Sequence, residues 1–116
     1  MSVDSTIDAA LRSTGIDLHP NEYTGPDLEY LTWTYTEIPE VHACDAPHAA
    51  RYLITVRYYL PFDGNPNARK RQIARALFDA GCTWPSITNI SDQEGQAYAL
   101  ECEWTDGGGY YGTDQP

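Results

Sequence analysis

The residues that could do chemistry in this chain are concentrated in one short segment. His42, Cys44, Asp45 and His48 place four potential metal ligands within seven residues. A stable structural zinc site needs four ligands at tetrahedral geometry, usually as two well-spaced pairs, and this spacing does not match such a pattern. We therefore expect a solvated loop, with no bound metal and no other cofactor.

Nucleophilic catalysis would need a serine, threonine or cysteine beside a base and an orienting third group. Cys44 beside His42 or His48 is the only local candidate. Cys82 and Cys102 lie where packing explains them as small apolar residues. The glycine-rich motifs that bind phosphate groups are missing from the sequence. The sequence thus predicts no catalytic residue and no enzyme.

One pair of carboxylates could also be considered for acid and base chemistry. Glu101 and Glu103 stand two residues apart, so they share one face of a predicted strand. This pattern is more typical of the solvent-facing side of a sheet than of a cleft. Nothing in the sequence separates the environments of the two side chains, as an acid and base pair would require.

The basic residues are the most unevenly distributed group. The chain has 116 residues and a formal net charge of −10, so a general affinity for nucleic acids is not expected. Four of its seven basic residues, Arg69, Lys70, Arg71 and Arg75, nevertheless fall in one predicted helix. Arg71 and Arg75 are four apart and line one ridge. They form either a solvated helix face or a contact with another copy or an acidic partner, as the acidic remainder of the chain favours.

Tyrosine is abundant as well, with nine residues in the chain. Some of Tyr30, Tyr59, Tyr110 and Tyr111 must point away from the subunit's own core, because the predicted strands alternate. Tyrosine is enriched at protein interfaces. The tyrosines therefore favour an association module over an enzyme.

The pattern of apolar residues predicts two helices and four strands. Helices are expected at residues 4–14 and 66–80, and strands at residues 28–37, 51–60, 86–90 and 96–104. Asp4 or Ser5 could cap the first helix, and Asn65 could cap the second with Pro66 at its first position. Gly15 and Gly81 are placed to end the two helices.

This order predicts a two-layer α+β domain, αββαββ, with an antiparallel four-stranded sheet and the helices on one face. The expected core residues are Tyr52, Ile54, Val56, Ile73, Leu77, Tyr98 and Leu100. We expect one domain over residues 1–105 and a flexible tail, rich in glycine and tyrosine, over residues 106–116. The sequence contains no apolar run long enough to span a membrane and no export signal, so a soluble, reduced, unexported protein is expected.

Several runs of the chain share their order and spacing with a known group of proteins. They are Tyr30-Leu31-Thr32-Trp33-Thr34-Tyr35-Thr36-Glu37-Ile38-Pro39, Asp45-Ala46-Pro47, Arg51-Tyr52-Leu53-Ile54-Thr55-Val56, Arg71-Gln72-Ile73 with Ala76-Leu77, Gly81-Cys82-Thr83-Trp84-Pro85, Glu94-Gly95 with Tyr98, and Glu101-Cys102-Glu103. Over residues 28–104 these runs resemble the small tail-completion and tail-terminator-like proteins of siphophages and prophages.

The resemblance implies an α+β subunit that forms a ring, typically a hexamer, at the head-proximal end of a long phage tail. Such a ring terminates the tail tube or joins the tail to the head connector. The expected partners are other copies of the chain, the tail tube protein and the connector protein. The expected location is the virion tail, with the host cytoplasm during assembly, and the free subunit can be a monomer. The resemblance carries over no site residue.

Two other classes of function stay open from the sequence. One is an acidic phage-encoded inhibitor that mimics DNA and occupies a host protein. The other is a small enzymatic or metal-binding domain built around His42, Cys44 and His48. An inhibitor of the first kind would array its carboxylates along one face, whereas here they are spread over every segment with basic residues between them.

Overall fold

The computed structural model describes residues 2–19, 23, 25, 28–40 and 49–106. Its elements are α1 (Val3–Arg12), β1 (Tyr30–Glu40), β2 (Ala49–Leu60), α2 (Asn67–Asp79), β3 (Ser86–Asn89) and β4 (Gln96–Asp106). The strands form one sheet in the order β1-β2-β4-β3, and every neighbouring pair is antiparallel. This architecture confirms the predicted αββαββ order and the α+β class. Neither helix in the described ranges has the length and apolar character needed to cross a membrane.

The first helix begins earlier than the sequence predicts. Its N-cap is Ser2, whose side chain accepts a hydrogen bond from the backbone N–H of Ser5 at 3.1 Å. The predicted caps, Asp4 and Ser5, instead lie inside the first turn. The prediction was wrong because Val3 is itself an apolar position of the helix, and its burial in the core extends the helix by one residue at its start.

The second helix is one residue shorter at each end than the predicted residues 66–80, and Pro66 stands at its N-cap position. The Asn65 side chain accepts a hydrogen bond from the backbone N–H of Asn67 at 3.1 Å, which satisfies one of the free donors of the first turn. Gly81 ends the helix with φ +104°, a conformation that glycine adopts without steric cost. The N–H of Cys82 then donates to the carbonyl of Leu77 at 3.1 Å, the closing bond of a Schellman motif.

The first strand is shifted relative to the predicted residues 28–37, because it occupies Tyr30–Glu40 and passes through Pro39. It tolerates proline because it lies at the edge of the sheet. Both backbone hydrogen-bonding groups of Leu31 point away from β2 and bond to the segment 17–19. Every second residue after Leu31 points the same way, so the missing N–H of Pro39 breaks no bond to β2.

The core lies between the two helices and one face of the sheet. All seven residues predicted for it are buried, which confirms that prediction. The helices contribute Val3, Ile7, Leu11, Ile73, Ala74 and Leu77 to the same cluster as the inward residues of the strands. We call the face that the helices cover the inner face and the opposite one the outer face. The loop with His42, Cys44 and His48 and the predicted tail beyond residue 106 lie outside the described residues.

Replacing Leu77, which is fully buried, tests this packing. Leu77→Ala should lower the free energy of unfolding by about 2 to 5 kcal/mol, because it removes buried methyl groups and leaves a cavity. Urea denaturation followed by circular dichroism measures the loss. The neighbouring Phe78→Ala is the matched control and should cost less than about 1 kcal/mol, since Phe78 is exposed. Equal losses would show that the helix face is assigned incorrectly.

Candidate subunit interface

The structure divides the basic cluster of α2 into two pairs with different surroundings. Arg69 turns toward its own subunit, where its Nη1 donates to the carbonyl of Thr14 and to the Oε1 of Gln72, both at 3.2 Å. Its Nε lies 3.9 Å from the Oε2 of Glu29. These contacts tie the start of α2 to the end of α1 and to the segment before β1. Arg69 therefore has a structural role within the subunit.

The carboxylate beside Arg69 is held from a second direction. Tyr58 is fully buried on β2, and its hydroxyl donates a hydrogen bond to the Oε2 of Glu29. Burial of the phenol and this hydrogen bond raise the pKa of Tyr58 well above its usual value, so the hydroxyl keeps its proton. Glu29, Tyr58 and Arg69 together fasten the beginning of β1 to β2 and α2.

Lys70 is also used within the subunit. Its Nζ lies 4.3 Å from the centroid of the Tyr98 ring, which is the distance of a cation–π contact. Tyr98 belongs to the inner face of β4 and is buried there. Lys70 thus covers the edge of the core with its stem, and its charge is directed over an aromatic ring.

Arg71 and Arg75 lie on the exposed ridge of α2 that the sequence predicts. The Nε of Arg75 lies 3.3 Å from the Oδ1 of Asp79, one turn further along the helix. Both members of this pair are largely exposed, so the pair contributes little to stability. The two arginines are therefore available to a partner at small cost to the subunit.

Exposed apolar side chains continue this ridge toward the β3 edge of the sheet. Phe78 and Trp84 are 47% and 53% exposed, and their rings meet edge to face with centroids 5.5 Å apart. Ile87, on the inner face of β3, is 40% exposed. Large apolar groups that remain exposed side by side are typical of association surfaces. We call Arg71, Arg75, Phe78, Trp84 and Ile87 the α2–β3 flank.

The backbone of β3 is open on the same flank. The N–H of Ile90 donates to the carbonyl of Ala97 on β4 at 2.8 Å. Along this edge, residues whose backbone groups point toward β4 therefore alternate with residues whose groups point away from it. Ile87 and Asn89 consequently direct their N–H and C=O groups away from β4. No strand in the described ranges pairs with them.

The other edge of the sheet has a different character. Beyond Leu31, the residues Trp33, Tyr35 and Glu37 direct their backbone groups outward, and no strand among the described residues pairs with them. An open groove of about 790 Å³ separates this edge from α1, and Asp4 and Asp8 line it. We call Asp4, Asp8, Trp33, Tyr35 and Glu37 the α1–β1 flank.

Sequence reasoning missed the α1–β1 flank as a candidate site. A signal for it was present, because Pro39 follows an alternating strand pattern without a break, and proline inside such a pattern marks an edge strand. The acidic spacing of Asp4 and Asp8, one helical turn apart, also placed two carboxylates on one side of α1. Only the sheet order shows that both signals concern the same surface.

The candidates for chemistry that the structure describes, Glu101, Glu103, Cys82 and Cys102, belong to neither flank. Glu103 pairs with Arg51 at 3.4 Å across the outer face, and Glu101 is exposed on the same face, so these carboxylates share no cleft. Cys82 and Cys102 are buried, as predicted, and the hydrogen bond between their thiols and their burial raise the pKa of Cys102. Among the described residues, no three His, Cys, Asp or Glu side chains are grouped so that they could hold a metal.

The predicted outward tyrosines are partly described. Tyr30 and Tyr59 lie opposite each other on the outer face and stack with their centroids 4.7 Å apart. Both are half-buried by this contact. Tyr110 and Tyr111 lie outside the described residues.

What the described surface offers is two unlike flanks at opposite edges of one sheet. One is basic and apolar, and the other is acidic with an open strand. No family model matches the sequence, and no curated protein is significantly similar to it. These flanks are therefore the features from which a function can be inferred.

The division of the basic cluster predicts unequal effects of mutation. Arg69→Gln should lower the free energy of unfolding by about 1 kcal/mol, because it removes charge-assisted hydrogen bonds that solvent partly screens. The melting temperature should fall by about 4 °C. Arg71→Gln, the control on the exposed ridge, should leave it unchanged. Equal melting temperatures for the two variants would contradict the structural role of Arg69.

Proposed function

We propose that this protein is a structural subunit of a long phage tail. Copies of it form a ring at the head-proximal end, where the ring terminates the tail tube or joins the tail to the head connector. The observation that carries the proposal is the α2–β3 flank, where two arginines stand beside exposed Phe78 and Trp84 in an acidic chain. The resemblance of residues 28–104 to tail-completion proteins supplies the place of the ring in the virion.

A ring needs a subunit with two different surfaces that fit each other. The α2–β3 flank and the α1–β1 flank lie at opposite ends of the strand order, so each copy can bind one neighbour through each flank. A contact in which two different surfaces meet, called a heterologous contact, produces either a closed ring or an open filament. A terminator must not continue the tube, and closure of the ring meets that requirement.

The charge of the chain suits a passage for DNA. Each copy carries a formal net charge of −10, so a ring of copies repels the phosphate backbone and lets DNA pass without binding to it. The same charge opposes contact between free copies at low salt, so free copies should associate only weakly. Nonspecific binding to nucleic acids has no support in this charge distribution.

Reversal of the exposed arginines tests the proposal. Arg71→Glu with Arg75→Glu should leave the circular dichroism spectrum and the melting temperature nearly unchanged, because neither side chain packs in the core. The variant should fail to support normal tails or the joining of tails to heads, since like charges would then face the partner. Electron microscopy of particles from cells that carry the remaining phage genes provides the measurement.

Charge-conserving substitution provides the control for this experiment. Arg71→Lys with Arg75→Lys keeps both positive charges and should support particle formation. Normal infectious particles from the glutamate variant would instead show that the ridge of α2 is only solvated surface. That result would contradict the proposal, because the α2–β3 flank would not be a contact surface.

The position of the gene separates this proposal from an inhibitor or an enzyme. A tail ring subunit should be encoded next to the tail tube and head connector genes of a phage or prophage. An inhibitor of a host protein or an enzyme has no reason to lie there. The gene neighbourhood can be determined without any protein experiment.

A further inference from the structure

We infer that the partner of the α2–β3 flank is the α1–β1 flank of a second copy of this chain, joined to it by pairing of β3 with β1. This inference rests on the proposed function and specifies the contact between neighbouring subunits. Three properties of the two flanks support it: their open backbone, their charge and their apolar side chains.

The open backbone groups of the two edges match in direction, and two residues of each edge can pair. Trp33, Tyr35 and Glu37 present outward N–H and C=O groups on β1, and Ile87 and Asn89 present them on β3. Within one subunit β1 and β3 run antiparallel, because three antiparallel pairings separate them. In a ring, neighbouring copies are related by rotation, and if the rotation axis runs along the strands, the β3 of one copy lies antiparallel to the β1 of the next. Two residues of β1 paired with two residues of β3 then exchange about four backbone hydrogen bonds.

Prolines limit the length of this pairing on both sides. Pro39 follows Glu37 in the outward set of β1, and Pro85 precedes Ile87 in the outward set of β3. Neither proline has an N–H to donate. A register with Ile87 opposite Tyr35 puts Asn89 opposite Trp33 and Pro85 opposite Glu37. The contact is thus a short one, which a protein can use without exposing a long edge to aggregation.

Charge selects these two flanks for each other. Asp4 and Asp8 line the groove beside β1, and Asp8 pairs with Arg12 at 3.0 Å, so the exposed Asp4 and Glu37 carry most of the acidic character. Arg71 and Arg75 form the exposed basic ridge beside β3. When the inner faces of two neighbouring sheets align, α2 of one copy lies next to α1 of the other. Opposite charges then meet across the contact, whereas two identical flanks would repel.

Apolar groups fill the space between the two elements. The side chains of these edge residues lie on the inner face. The pairing of β1 with β2 and of β3 with β4 shows this. Ile87 is 40% exposed and Tyr35 also 40% exposed, so pairing them removes two large apolar surfaces from water. Phe78 and Trp84, whose rings meet edge to face, would cover the open groove along α1 of the neighbouring copy.

A charge exchange between two variants tests the contact. One variant carries Arg71→Glu and Arg75→Glu, and the other carries Asp4→Lys and Glu37→Lys. Each should associate with itself at least roughly tenfold more weakly than the wild type, because two attractive pairs become repulsive. An equal mixture should recover association, since each flank then meets a flank of opposite charge. Sedimentation velocity in 0.15 M salt, at concentrations up to about 1 mM, measures the association.

A third variant controls for net charge. Asp63→Lys with Glu94→Lys changes the charge by the same amount as the acidic-flank variant, but both residues are exposed in turns away from the flanks. Mixed with the arginine-reversed variant, it should not recover association. Recovery in this mixture would show that overall charge, and not the pairing of the two flanks, controls association.

Failure of this inference can be told apart from failure of the proposed function. A wild-type chain that stays monomeric up to about 1 mM, or a mixture that does not recover, overturns pairing between copies. If the arginine reversal nevertheless abolishes tail formation, the α2–β3 flank binds another tail protein and the proposed function stands. If tails form normally with every variant, both proposals are wrong.

Discussion

Both helices pack on one face of an open four-stranded sheet, and the rest of this structure depends on that arrangement. The helices pack over the central strands β2 and β4, whose inner residues Ile54, Val56 and Leu100 are fully buried or nearly so. Strands β1 and β3 complete the core, but beyond Leu31 of β1 and along β3 the outward backbone groups have no partner strand within the described ranges. An edge of this kind needs either a protective device or a partner.

The contacts of Arg69 explain why acidic residues of α1 lie beside one edge of the sheet and basic residues of α2 toward the other. Its bonds to Thr14 and Glu29 hold α1 near β1 and hold the start of α2 against both. Tyr58 secures the same carboxylate from the sheet. With α1 fixed beside β1, its aspartates lie along one edge. The exposed ridge of α2 lies toward the other edge. The half-exposed Arg69 and Glu29, with buried Tyr58, therefore help to give the two flanks their unlike character.

The fold could be predicted from the sequence because each strong signal is local. Asn65 and Gly81 bound α2 by capping chemistry, and period-two alternation identifies the inner residues of β2. The start of α1 and the end of β1 were missed, since the first depends on burial of Val3 and the second on β1 lying at an edge. The candidate site could be predicted only in part. The arginines of the α2–β3 flank stand together in the sequence. The acidic residues of the α1–β1 flank, Asp4 and Glu37, are far apart in the sequence and are brought to one side only in the folded chain.

The pairing of sheet edges between copies can be tested by amide hydrogen exchange in free subunits and in assembled tails. If β1 pairs with β3 of a neighbour, the amides of Trp33, Tyr35, Ile87 and Asn89 should exchange quickly in the free subunit, because their N–H groups point away from the sheet. In assembled tails these four amides should become strongly protected. Exchange that stays equally fast in free and assembled protein would contradict the pairing of β1 with β3.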